Sequence, residues 1–284
     1  MKKTLLYQLT ETSEYMMGFV IVTQKDNVIV IDGGRPADMP LLKEYIAGRH
    51  ISAWILTHPH EDHISGFVDE IEKNGGVDFD IERIYYNFPP YEEMIQNTDV
   101  EDLDYYRAEV NEMLPAFDRI KPRLGDKLSV VSRGDTVAVD ECRLDILYTW
   151  HRGLTANPIN DASLAFKLTT PNKTVLFLGD LGPDGGDLLY RESRHLLKAD
   201  IVQMAHHGHM NVGFEVYAAI SPEVCLWCCP DWLWEEKEEP GDPEKLFKVG
   251  RIRMYGTAVT RQWMEFLGVR EHYVTKDGTH CIEL

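Results

Sequence analysis

His58, His60, Asp62 and His63 fall within the run Thr57-His58-Pro59-His60-Glu61-Asp62-His63-Ile64-Ser65-Gly66. Three imidazoles and a carboxylate so close together are a metal-ligating set rather than a solvated loop. Residues two apart in an extended segment point the same way, so His58 and His60 can grip one ion. Asp62 and His63 lie just beyond, where the chain turns toward a helix expected near Ile64, and can grip a second. Mixed imidazole and carboxylate ligands suit zinc and its borderline neighbours. Glu61 is expected to point away into solvent.

These ligands need a rigid frame. Residues 53–56 form a short apolar run leading straight into Thr57, which predicts a buried strand with the ligands at its end. Strands are also expected at 19–22, 28–31, 84–86, 127–131, 136–139, 143–148, 165–168, 174–178, 201–204, 224–229 and 280–284. Helices are expected at 39–47, 187–197, 214–220 and 259–267. Strands recur among helices in both halves, which predicts an α/β fold of sheets sandwiched between helices. With no repeat or linker visible, residues 1–284 are expected to form one domain. The segment 92–118 stands apart, with nine carboxylates against one Arg, and reads as helical up to Pro115. It is expected to be an acidic helical insertion at about 89–120, either a solvated helix or a lid, with Tyr91, Tyr105 and Tyr106 available to a substrate.

Composition narrows the function classes. The net charge is −18, and tight nucleic-acid binding needs a basic stripe that the sequence lacks. A small anionic substrate meeting a locally positive metal centre remains compatible. No apolar run reaches the roughly 20 residues of a membrane span, and Gln8, Thr10 and Glu11 interrupt the start too early for a signal peptide, so a cytoplasmic location is expected. Five cysteines, three of them in Cys225-Leu226-Trp227-Cys228-Cys229, read as buried thiols on an apolar strand. Trp232, Leu233 and Trp234 could line a pocket or a dimer contact, or simply pack.

His-x-His-x-Asp-His after an apolar strand resembles the signature of the metallo-β-lactamase superfamily. That resemblance implies an αββα sandwich of two mixed β-sheets flanked by helices, with the site along one edge. Asp32-Gly33-Gly34 looks like the family's early Asp, which braces the histidine loop. Gly179-Asp180 looks like the strand end whose Asp bridges two metals, and His206-His207-Gly208 like the late strand ending in a His ligand. A third His usual between these motifs is replaced by Asn160-Asp161-Ala162-Ser163-Leu164. This pattern, with Thr275-Lys276-Asp277-Gly278 near the end, is similar to the branch containing the hydrolase domain of ComEC-type DNA-uptake proteins. His209 stands where that branch usually has Ser.

The resemblance implies two divalent ions, zinc or manganese. His58 and His60 would hold the first, with Asn160 or water in the missing position. Asp62, His63 and His206 would hold the second, and Asp180 would bridge. His207 is expected to be catalytic or to contact substrate, and Ser163 and His209 to lie near it. Asp62 and Asp180 would take part in catalysis as well as binding. Such a site acidifies a bound water and supplies metal-bound hydroxide near neutral pH. Hydrolysis of a phosphodiester or a similar small anionic ester is the leading expectation. Acyl hydrolysis of a lactone, thioester or β-lactam, and a non-catalytic metal-binding regulator, are the alternatives.

Overall fold

Apolar, β-branched runs make the strands that carry the site. β1 (Leu5–Gln8), β2 (Gly18–Val22) and β3 (Val28–Asp32) form successive antiparallel pairs. Helix α1 (Met39–Ile46) crosses to β4 (Ile51–Ile55), parallel to β3. Helix α2 (Glu61–Asn74) crosses to β5 (Ile84–Tyr86), parallel to β4. After α3 (Tyr91–Gln96) and α4 (Leu103–Leu124), β6 (Leu128–Val130) pairs with β5. The chain then enters a second sheet through β7 (Thr136–Val139) and β8 (Cys142–Tyr148). Short α5 (Pro158–Asp161) precedes β9 (Ala165–Thr169) and β10 (Thr174–Phe177). Helices α6 (Pro183–Ser193) and α7 (Phe214–Ile220) lead to the parallel strands β11 (Ile201–Gln203) and β12 (Val224–Trp227). Next come α8 (Asp231–Trp234), the small pair β13 (Lys248–Val249) and β14 (Ile252–Arg253), and α9 (Thr257–Phe266). β15 (Glu271–Val274) joins β12, and β16 (His280–Glu283) returns to β1. This computed structural model describes the chain apart from residues 1, 13, 77, 97–102, 155–156, 236–247, 250–251 and 254–256.

The two mixed sheets have seven strands each, ordered β16-β1-β2-β3-β4-β5-β6 and β15-β12-β11-β10-β9-β8-β7. Phe19, Ile31, Ile55, Phe166 and Phe177 fill the space between them. Trp54, Phe67 and Phe117 pack α2 and α4 against the outer face of the first sheet. Leu189, Val216, Trp227 and Met264 do the same for α6, α7 and α9 on the second. The result is the expected αββα sandwich. β2 and β3 are buried throughout because both faces are covered. Each such side chain contributes about 1.5–3 kcal/mol of burial free energy. Among the described residues no helix is long and apolar enough to cross a membrane.

Several local expectations change. β1, for which no strand was expected, is held between β2 and β16. Helix α2 begins at Glu61 rather than near Ile64, so Asp62 and His63 lie in its first turn. Helix α6 starts at Pro183, four residues before the expected 187, because Pro fits the first turn of a helix. The acidic segment is two helices, and α4 runs through Pro115 and Pro122 to Leu124. Buried Met113, Phe117 and Ile120 in the core beneath α4 offset the roughly 3 kcal/mol cost of an internal Pro. Trp232 and Trp234 pack on the outer core of the second sheet rather than forming a free patch. Cys225, Cys228 and Cys229 are buried free thiols.

Candidate metal centre

The site collects at the carboxyl ends of β3, β4, β10 and β11, where parallel strands stop side by side. Asp32 ends β3 with φ +53° and is fully buried. Its Oδ1 accepts the Thr57 N–H at 2.8 Å, and its Oδ2 accepts the Thr57 hydroxyl at 2.7 Å. Oδ2 also lies 2.8 Å from His63 Nδ1. The carboxylate therefore holds the proton on Nδ1 and leaves Nε2 free for a metal. Trp54 donates its indole N–H to Asp32 O at 2.8 Å, fixing the strand end from the other side.

The first turn of α2 is locked against the loop after β3. Gly34 donates to His63 O at 3.1 Å, Gly66 donates to Gly34 O at 2.9 Å, and Met17 donates to Asp62 O at 3.1 Å. A Cβ on Gly66 would lie 2.8 Å from Arg35 O, so only glycine allows this approach. Glu61 points outward, as expected, and pairs with Arg35 at 2.6 Å.

Asp180 sits just past β10. Its N–H donates to Ser163 Oγ at 3.0 Å, and its carbonyl accepts from Asn211 Nδ2 at 3.1 Å. Gln203, at the end of β11, accepts from Leu178 N–H and Gly179 N–H at 2.8 Å and donates back to Gly179 O at 3.0 Å. Gln203 and Asn211 were missed from sequence. The only signal for Gln203 was an amide inside an apolar run.

The His206-His207 pair turns on two consecutive left-handed residues, φ +48° and +55°, followed by Gly208 at +94°. Each left-handed non-glycine costs about 1–3 kcal/mol, a strain met at functional sites. A Cβ on Gly208 would meet the Trp227 ring at 2.5 Å. His207 Nδ1 lies 2.8 Å from Cys228 O, so its Nε2 faces Asp62 Oδ2 at 2.9 Å and Asp180 Oδ2 at 3.4 Å. His206 Nε2 instead lies 3.5 Å from Asn160 Nδ2 and 3.9 Å from Asp180 Oδ2.

Among the described residues two groups of ligand atoms result, each with its members within 4.8 Å of one another: Asp62, His63, Asp180 and His207; and His58, His60 and Asp180. The late histidine gathered with Asp62 and His63 is therefore His207, where His206 was expected. Adjacent left-handed residues send the two imidazoles to different sides, and His206 faces Asn160. His58 Nε2 and His60 Nδ1 converge to 3.1 Å. Asn160 and Ser163 border the site, both buried. His209 is buried too, 4.7 Å from the His206 ring and 6.2 Å from Tyr15, and belongs to neither group. Tyr106 is buried and donates to Met94 O at 2.9 Å, so it is not open to a substrate. The Tyr105 side chain lies outside the described residues.

Asp180 Oδ1 and Asn160 Oδ1 are buried with no hydrogen-bond partner among the described residues, while His63 Nε2 and His207 Nε2 face the carboxylates of Asp62 and Asp180. Unsatisfied buried oxygens beside converging imidazoles and carboxylates fit divalent cations. Charge points the same way. Burial alone would lower His63, yet Asp180, Asp62 and Asp32 hold it well above its ordinary value. Against the same burial, chiefly Asp180 and then Asp62 raise His207 to about 10. Burial alone would raise Asp180 and Asp62, yet the charges on His63 and His207 hold both below the usual carboxylate range. Burial and the charge on His63 push His58 well down, leaving it neutral.

Without metal, then, protons on His63 and His207 neutralise the carboxylates, and a metal must displace them. Below a pKa of about 10 His207 holds its proton, so apparent metal affinity should rise with pH through neutrality. Calorimetry at pH 7 in buffers of differing ionisation enthalpy should register at least about two protons released on loading, from His63 and His207, with a further contribution from His60, which, against its burial, Glu109 raises. Loading without proton release would contradict this charge balance.

Residues 18–212 match the family model described as the metallo-beta-lactamase superfamily, and the chain belongs to that superfamily. No curated protein matches the sequence. Among solved structures, the metallo-beta-lactamase fold protein YhfI from Bacillus subtilis is 14% identical. It aligns over 98% of this chain and 99% of its own, with a TM-score of 0.54. CmlA, a diiron β-hydroxylase from Streptomyces venezuelae, is 10% identical with a TM-score of 0.58. That match covers 100% of this chain but 55% of CmlA, so the present chain spans about half that enzyme's length. At such identities the likeness concerns the fold alone.

Proposed function

We propose that this protein is a dinuclear metal-dependent hydrolase acting on a phosphodiester or a similarly small anionic ester. The observation that carries the reading is Asp180, the one carboxylate common to both ligand groups. His58, His60 and Asp180 would hold one ion; Asp62, His63, Asp180 and His207 would hold the other. Two divalent ions held there supply positive charge and an acidified water. The chain's own residues do the orienting. Asp32 fixes the His63 tautomer, Cys228 O fixes that of His207, and Ser163 and Gln203 set the turn carrying Asp180. Asn160 and His206 flank the side with fewer ligands and are assigned to that ion or to a substrate oxygen. The smaller ligand set there suits manganese as well as zinc.

Asn160-x-x-Ser163-Leu164 and His206-His207-Gly208 support the phosphodiester choice through their likeness to the ComEC-type branch. The −18 net charge argues against a nucleic-acid substrate and leaves a small anion as the better fit. Purified protein should hydrolyse bis-(p-nitrophenyl) phosphate with added zinc or manganese and lose that activity to chelator. Turnover of lactones, thioesters or β-lactams with none of the diester would replace this reading with acyl hydrolysis. A preparation that retains no metal and turns over neither class would make it a non-catalytic regulator.

A further inference from the structure

Helix α4 comes between β5 and β6, far in sequence from every ligand, yet it reaches the site. Its lower half is tied to α2, because Arg123 donates to Ile71 O at 2.9 Å and Arg119 pairs with Glu72 at 2.9 Å. Its middle packs through Tyr106, Val110 and Leu114 against Ile159 and Ala162, on either side of Asn160. Glu109 lies one turn from both Tyr106 and Met113 and so shares their inward face. Its Oε2 is 3.5 Å from His60 Nε2, and the side chain is 24% exposed. The other nitrogen of that ring, Nδ1, faces His58 Nε2 at 3.1 Å. The ring is thus held between a carboxylate on one nitrogen and a fellow ligand on the other.

We propose that Glu109 is a positioning residue of the metal centre. It keeps the His60 proton on Nε2, so that Nδ1 is presented to the ion shared with His58 and Asp180. This rests on the dinuclear reading above. The pairing resembles that of Asp32 and His63 with the two ring nitrogens exchanged, at 3.5 Å in place of 2.8 Å. It also makes the acidic helix part of the centre rather than a solvated appendage.

The test titrates metal-free wild type, E109A and E109Q with cobalt(II), following the visible absorption bands and the affinity by chelator competition. In E109A one of two sites should weaken by about 10–100-fold, with altered bands, while the other keeps its affinity. E109Q retains an oxygen that accepts from Nε2–H and should restore both affinity and spectrum. Circular dichroism and thermal unfolding identify any variant whose fold has failed. E109H, which keeps a ring nitrogen acceptor, then serves as the second rescue variant. An E109A protein with wild-type affinity at both sites would overturn the proposal. So would loss in E109Q equal to that in E109A, since it would make Glu109 a direct ligand. A wild type that binds fewer than two cobalt ions would overturn the dinuclear reading itself, a result visible before any variant is compared.

Discussion

On the proposed two-ion reading, Asp180→Ala should lose at least about a thousandfold in kcat, because it removes the one carboxylate that both ligand groups share among the described residues. The loss should not come from unfolding. Asp180 is buried against His63 and His207, at 3.3 and 3.4 Å from their Nε2 atoms. Without it those rings lose the carboxylate that does most to hold them protonated and shift toward the neutral form, while Asp62 and Asp32 stay beside them, so no unpaired charge is left buried. Neutral imidazole is also the ligand form, so Asp62, His63 and His207 can still hold one ion. The expected protein is folded, binds one metal in place of two, and is inactive. Asp180→Asn should behave alike, since an amide bridges two cations poorly. Metal analysis beside single-turnover kinetics checks both statements. A variant that kept two ions would contradict the bridging role.

Asp32→Ala should have the largest effect on stability. The carboxylate makes three hydrogen bonds in a fully buried place, and the residue stands at φ +53°. Alanine there leaves the Thr57 N–H and the His63 ring unpartnered and adds left-handed strain. The expected cost is about 3–5 kcal/mol, read by denaturant unfolding. Asp32→Asn separates folding from function. Asparagine tolerates the left-handed backbone and can still accept from Thr57 N–H. Where it turns its NH2 toward His63 Nδ1, it forces the ring proton onto Nε2, the atom the ion needs. Asp32→Asn should therefore stay folded and bind metal about 10–100-fold more weakly. Unchanged affinity would show that Asp32 only braces the backbone.

How far the sequence reached depends on how local each signal is. His58, His60, Asp62 and His63 were legible because strand and helix-turn geometry alone places them together. Asp32 and Asp180 needed the family resemblance, since each is a lone carboxylate at the end of an apolar run. Adjacent residues defeat pattern reading: His206 and His207 are distinguished only by two left-handed φ angles and by the carbonyl of Cys228. Glu109 had no local signal at all, being one of nine carboxylates on a segment that reads as solvated. Only the packing of α4 on α2 and α5 brings it to His60. Alternating apolar runs showed sheets packed among helices, and the family resemblance supplied the two-sheet sandwich. Leu5–Gln8 was not, because its strand is defined by partners at Gly18–Val22 and His280–Glu283. The path of α4 through Pro115 is likewise set by the core beneath it.

The central claim is a pair of ions bridged by one carboxylate, and counting the ions tests it most directly. Metal-free protein dialysed against zinc or manganese and measured by elemental analysis should hold two ions per chain, falling to one in Asp180→Ala. A wild type that takes up one ion or none, or an Asp180→Ala protein that still holds two, would contradict it.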